Sequence, residues 1–176
     1  GEIFAPGDKS ISHRCVILSS IAIGESRIEG LLGSTDVICT IEAMKSLGAN
    51  ISLNSNKCII NGIGIGSLIE PKKPLDFGNS GTAARLIMGL VSTHPIKSVF
   101  VGDASLSKRP MGRVIDPLTE FGTEFELTSS ELPSTNSASS LESDASDLLL
   151  KGQGLASVLK LRKFKESLKK PCNQLL

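Results

Sequence analysis

The sequence predicts an α/β fold assembled from repeated β/α modules, and three observations carry that prediction. Two eight-residue segments, GDKSISHR (Gly7 to Arg14) and GNSGTAAR (Gly78 to Arg85), share one design: Gly with Asp or Asn, then small hydroxyl residues, then Arg. The leading glycines and the closing arginines are each 71 positions apart. Further glycine pairs follow at a slowly growing offset: Gly30 with Gly102, Gly48 with Gly122 and Gly62 with Gly152. Each segment also runs into an apolar stretch, CVILSSIA or LIMGLVS, followed by the same succession of strand-like and helix-like patterns. A period of this kind marks a unit that cannot bury its apolar face alone, so the modules must share one core.

The elements follow in order. GDKSISHR and its apolar continuation read as a helix whose start carries a capping residue, with Ser10 as a candidate cap. SRIEGLL reads as a strand. Ser34-Thr35-Asp36 then opens a second helix, in which Asp36 belongs to the cap. Val37, Ile41, Met44 and Leu47 recur at helical spacing and Gly48 stands where a C-terminal stop belongs. ISL and CIINGIG read as two short strands. In the second unit GNSGTAARLIMGLVS reads as a helix and KSVFVGDA as a strand. SLSKRPMGRVIDPLTEFG reads as one helix with Val114, Ile115 and Leu118 inward and Gly122 as its stop; Pro110 is tolerated near its start and Pro117 kinks or shortens it. EFEL and LLLKGQG are the remaining strand candidates. Residues 1–127 thus form two partly repeated modules, 128–147 a Ser-rich flexible segment and 148–176 a divergent basic tail. Within the tail KLRKFKESLKK (Lys160 to Lys170) reads as a short amphipathic helix, for which a solvated face is the plainer account than a partner site.

Composition sets the bounds. A chain of 176 residues with 40% apolar content can bury one ordinary core. A net charge of +1 argues against nucleic acid as a partner, and with no Trp or Tyr base stacking would fall to six Phe. No apolar run reaches membrane-spanning length and no secretory signal is visible, so a cytoplasmic setting is expected. Cys15, Cys39, Cys58 and Cys172 lack metal-ligand spacing and read as reduced thiols. The chain opens on Gly1 rather than Met, which fits a processed or partial chain.

The paired segments carry the chemistry. A helix N-terminus aims free N–H groups and a positive dipole end at an anion. Lys9 in a first turn opposes that dipole, a local cost that a bound anion offsets. Ser10 can cap or donate to a phosphate oxygen, and Arg14, one turn on, can reach back over the helix mouth. Ser80-Gly81-Thr82 lets a ligand approach the backbone closely. Lys108-Arg109 at the next turn completes a convergent cationic set. Asp36 and Asp103 are candidate acid/base groups, although capping explains Asp36 better. His13 beside Arg14 reads as structural.

At these residues a resemblance becomes specific. PGDKSISHR, DFGNSGTAARLIMGL and GDASLSKRPMGRVIDPL resemble, in order and approximate spacing, the signature segments of the 5-enolpyruvylshikimate-3-phosphate synthase (EPSP synthase) family, closer to its bacterial second class, over about residues 1–126. The resemblance implies a two-domain inside-out barrel of βαβαββ units, of which about two are present here. It implies transfer of the enolpyruvyl group of phosphoenolpyruvate to the 5-hydroxyl of shikimate 3-phosphate, with release of phosphate and with no metal or organic cofactor. By the same resemblance Lys9 serves both substrates, Ser10 and Arg14 hold shikimate 3-phosphate, and Gly81 and Arg109 meet phosphoenolpyruvate. Asn79 and Thr82 shape that pocket, Arg85 supports it, and Gly81 is the glycine that contacts glyphosate, where Ala marks tolerant relatives.

The departures are as informative. The family's Ser-Ala-Gln block is missing after Gly152, and Leu168 stands where Lys165-Glu166-Ser167 would be followed by Asp. The second domain, with the general base, is absent, so no catalytic residue is assigned in this portion and the isolated chain is expected to be inactive. A carboxy-terminal domain is the implied missing partner. Truncation, a frameshift, a chimeric gene or divergence would each account for residues past Leu127. The competing reading is a non-catalytic anion-binding module completed by a second chain. The related UDP-N-acetylglucosamine enolpyruvyl transferases are disfavoured, because Lys9-Ser10 and the cysteine positions do not resemble that family's Lys-Asn opening and Cys loop.

Overall fold

The computed structural model describes residues 1–3, 5–54, 57–128 and 158–162. Two modules follow one another. The first contains α1 (Lys9–Ile21), β1 (Ile23–Glu29), α2 (Thr35–Ser46), β2 (Asn50–Asn54) and β3 (Lys57–Ile63). The second contains β4 (Leu75–Asp76), α3 (Gly81–Val91), β5 (Ser98–Val101), α4 (Ala104–Ser107), α5 (Gly112–Glu120), β6 (Glu124–Thr128) and β7 (Val158–Arg162). The first sheet has the order β1-β3-β2, and the second β4-β5-β7-β6. In both, the module's last strand lies between the other two with antiparallel pairing on each side. β4 extends the second sheet by pairing parallel to β5. The repeat expected from the sequence is therefore present in topology, and the chain is α/β.

The helical periodicity holds residue by residue. Val37, Ile41, Met44 and Leu47 are all buried along α2, and Gly48 takes the positive φ of 108° that ends a helix. Its repeat partner Gly122 has φ 94° after α5. Val114, Ile115 and Leu118 are half-buried against the common core. That core draws on both modules. Val16, Ile41, Met44 and Ile60 come from the first and Phe77, Ile87, Met88, Phe100 and Leu106 from the second. The Phe77 and Phe100 rings stack with centroids 5.1 Å apart.

Several expectations are corrected. The strand predicted at SRIEGLL begins earlier, at Ile23, and Leu31–Leu32 lie beyond its end. The single helix expected from Ser105 to Gly122 is two, because Pro110 disfavours the helical conformation at Arg109 and lacks the N–H to continue the ladder. Pro117, expected to kink or shorten that helix, sits exposed inside α5, which runs on to Glu120. The basic run expected to be helical from Lys160 contributes Lys160–Arg162 to β7, where Leu159 and Leu161 alternate with Lys160 and Arg162 at strand period. Topologically β3 matches β7, at Val158–Arg162, and Gly152, paired with Gly62 in the sequence repeat, lies outside the described residues. LLLKGQG, Cys172 and nearly all of the Ser-rich segment lie outside the described residues.

Candidate functional site

α1 begins at Lys9 because Asp8 caps it: the Asp8 carboxylate accepts from the Ile11 N–H at 2.8 Å. Such a cap contributes about 1 kcal/mol. Ser10, expected as a cap, is not one; it is exposed in the first turn, its side chain facing outward at the helix mouth. Ser12 anchors that turn, donating to the Asp8 carbonyl at 2.7 Å and accepting from the Leu32 N–H at 3.1 Å. Gly7 fits where a Cβ would lie 2.2 Å from the Gly30 carbonyl oxygen, so the approach to α1 is pressed onto the end of β1.

On this base stand the first cations. The Lys9 ammonium meets the Asp36 carboxylate at 2.9 Å. Asp36 is thus not the cap of α2, as expected; Ser34 is, accepting from the Val37 N–H at 3.4 Å, and Asp36 is left free to pair. Arg14 does fold back over the helix mouth, its guanidinium donating to the Ser10 carbonyl at 2.9 Å. Beneath them His13 is fully buried. Its Nδ1 lies 2.7 Å from the Thr40 hydroxyl, and its Nε2 has no partner among the described residues. Burial lowers the His13 pKa. The Asp36 carboxylate opposes that shift, while Lys9 and Arg14 reinforce it.

The second cluster surrounds the start of α3, which Ser80 caps. Gly81 is buried, and a Cβ built there would lie 2.8 Å from Nη1 of Arg85 and 3.0 Å from Nη1 of Arg109. Two guanidinium groups therefore converge on the one bare backbone position. Arg85 donates to the Gly81 carbonyl at 3.1 Å and to the Pro110 carbonyl at 2.9 Å, tying α3 to the α4–α5 junction. Arg109 donates to the Asn79 side-chain oxygen. Thr82 is exposed in the first turn of α3. Asp103, a candidate acid/base group, is occupied as the cap of α4, accepting from the Leu106 N–H at 2.7 Å.

The two clusters are neighbours through α2. Asp36 near its start pairs with Lys9 of α1, and Cys39 lies 3.6 Å from the Cβ direction of Gly78, just ahead of α3. The starts of α1 and α3 are thus both linked to the first turns of α2. Burial first, then the Asp76 and Asp36 carboxylates, raise the pKa of the Cys39 thiol, which disfavours the thiolate. Among the described residues no group of His, Cys, Asp or Glu side chains could hold a metal ion. A mainly apolar cavity of about 220 Å³, lined by Leu31, Leu32, Ile38, Leu53 and Cys58 among others, shares no residue with either cluster. No helix among the described residues is long and apolar enough to cross a membrane.

Repeated α/β modules with Lys and Arg side chains at their helix ends define the class, and comparison with known proteins defines the family. A family model described as EPSP synthase (3-phosphoshikimate 1-carboxyvinyltransferase) matches residues 1–143, and the chain belongs to that family. Proteins named 3-phosphoshikimate 1-carboxyvinyltransferase are similar to it. That of Novosphingobium aromaticivorans is 56% identical over 126 residues (71% of this chain, 29% of the relative), and that of Zymomonas mobilis 53% over 137 (77% and 30%). That of Parvibaculum lavamentivorans is 58% identical over 126 residues (71% and 28%). The solved EPSP synthase of Acinetobacter baumannii superposes with a TM-score of 0.73 at 33% identity, over 91% of this chain and 31% of that one. The chain therefore spans under a third of the length of these relatives.

Proposed function

We infer that this chain forms the amino-terminal part of a 3-phosphoshikimate 1-carboxyvinyltransferase, with its two helix-end clusters as the two substrate subsites of that half. The enzyme transfers the enolpyruvyl group of phosphoenolpyruvate to the 5-hydroxyl of shikimate 3-phosphate and releases phosphate. Lys9, Ser10 and Arg14 take shikimate 3-phosphate; Asn79, Gly81, Thr82 and Arg109 take phosphoenolpyruvate, with Arg85 and Asp36 in support. The observation that carries the reading is the convergence of Arg85 and Arg109 on bare Gly81 beside the Lys9–Asp36 pair. Cations held at helix ends suit dianionic ligands and charge developing during addition and elimination.

The reading assigns no metal or organic cofactor, only small-molecule partners, and a cytoplasmic setting. The chain alone is expected to bind but not turn over, because by resemblance the general base lies in the part of its relatives that this chain does not span. Calorimetric titration of the purified chain with shikimate 3-phosphate tests it. Saturable binding that Lys9→Ala weakens about tenfold supports the reading, at the strength of a charge-assisted contact. A flat titration contradicts it. Phosphate release from the substrate pair by the chain alone would overturn the division between binding and turnover.

A further inference from the structure

Two links join α1 to α2, and they form a ladder. Lys9 pairs with Asp36 at 2.9 Å and His13 with Thr40 at 2.7 Å. Lys9 and His13 stand four apart on α1, Asp36 and Thr40 four apart on α2, so the two rungs lie one helical turn from each other. The upper rung is at the surface, with Lys9 half-exposed; a pair of that kind holds geometry weakly. The lower rung is buried at both ends, with His13 and Thr40 fully enclosed. The Thr40 hydroxyl also reaches the Asp36 carbonyl at 3.3 Å, so the lower rung touches the backbone of the residue that holds Lys9.

We propose that His13 is a positioning residue for substrate binding, fixing α1 against α2 through Thr40 so that the Lys9 ammonium is held at the helix mouth. The claim rests on the functional reading above. It accounts for a buried polar group whose Nε2 is left without a partner among the described residues, a cost that simple packing by an apolar residue would avoid. It also fits a ring kept neutral by burial between two cations, with Nδ1–H donating to Thr40 while the Thr40 hydroxyl donates to the Asp36 carbonyl.

Three variants of the purified chain separate positioning from packing. His13→Leu fills the space without a hydrogen bond. His13→Asn restores a donor at the Nδ1 position but fills less, and Thr40→Val removes the acceptor at constant volume. Far-ultraviolet circular dichroism reports folding, and Thr40→Val serves if His13→Leu fails to fold. Two readouts follow: trace acetylation of Lys9 mapped by mass spectrometry against exposed Lys97, and calorimetric affinity for shikimate 3-phosphate. The Leu and Val variants are expected to raise Lys9 acetylation about threefold and to weaken binding about fivefold, as loss of a single hydrogen bond predicts. The Asn variant stays within about twofold of the parent on both. A Leu variant that matches the parent, or a Lys9 acetylation rate that none of the three moves, overturns the proposal. If the parent chain binds no shikimate 3-phosphate, the functional reading fails while Lys9 acetylation still decides the role of His13.

Discussion

The two helix-end clusters are built from equivalent positions of one repeat, yet they handle charge in opposite ways. At the start of α1 the cation is neutralised in place: Lys9 rests on the Asp36 carboxylate. At the start of α3 the hydrogen bonds of Arg85 and Arg109 go to neutral oxygens, those of Gly81, Pro110 and the Asn79 side chain. On the proposed function the first site would exchange a counter-ion for its ligand, and the second would keep its positive charge available. The difference arises from which side chain follows each cap. The first module offers an acid from the next helix; the second offers a glycine whose missing side chain lets two guanidinium groups meet. On that reading one scaffold would supply one adjustable and one preorganised anion site.

The comparison predicts a ranking of effects. The largest is expected for Arg109→Ala, which removes half of the preorganised pair. Phosphoenolpyruvate affinity, measured calorimetrically with shikimate 3-phosphate present, should fall about thirtyfold, the equivalent of about 2 kcal/mol for a charge-assisted contact. Gly81→Ala comes next. The added methyl group crowds the flexible ends of Arg85 and Arg109 and makes an ordinary contact with Leu106 at 3.5 Å, so the thermal midpoint should stay close to the parent's. The displaced guanidinium groups should weaken phosphoenolpyruvate about tenfold, in line with the cost of small misplacements. In a complete enzyme carrying this glycine, glyphosate inhibition should be strong and Gly81→Ala should relieve it; equal inhibition of both forms would break the assignment of Gly81.

Asp36→Asn should act in the other direction. Releasing Lys9 from its counter-ion should tighten shikimate 3-phosphate about twofold to fivefold, since an exposed pair is worth no more than about 1 kcal/mol. Weaker binding would show that Asp36 orients Lys9 more than it competes for it. The smallest effect concerns pH. His13 is held neutral in the folded chain, its pKa below the ordinary 6.5, so its contribution is intact above that value. As pH falls below it the unfolded chain takes the proton first, and stability is lost. Urea midpoints should therefore decline between about pH 7.5 and pH 5.5, above the carboxylate range, and His13→Leu should flatten that slope.

Much of this was legible in the sequence because the repeat doubled every signal. Helical spacing and glycine stops located α2 and α5, and the paired motifs located α1 and α3. At the candidate site local preference singles out Lys9 alone; Gly81 stands out as a bare approach to the backbone, Arg14 and Arg109 as cations near helix starts, and Arg85 enters through the resemblance. The misses have physical causes. Asp8, Ser10, Ser34 and Asp36 can each cap a helix, and only the path of the preceding chain decides between them. β4 is two residues long, too short to show a period. β7 was hidden because its charges drew attention to a helical face, although Leu-Lys-Leu-Arg alternates at strand period. His13 reads as structural in the sequence and is buried in the structure, but its partner Thr40 stands 27 residues away, and nothing in the sequence links a lone histidine to a particular hydroxyl.

The central claim is that the two clusters are neighbouring subsites with different ligands, and amide chemical-shift mapping of the isotope-labelled chain tests it directly. Shikimate 3-phosphate should shift the amides of Lys9, Ser10 and Arg14 first, and phosphoenolpyruvate added afterwards should shift those of Asn79, Gly81 and Thr82. Identical shift patterns for the two ligands, or shifts confined to residues outside both helix ends, would contradict the account.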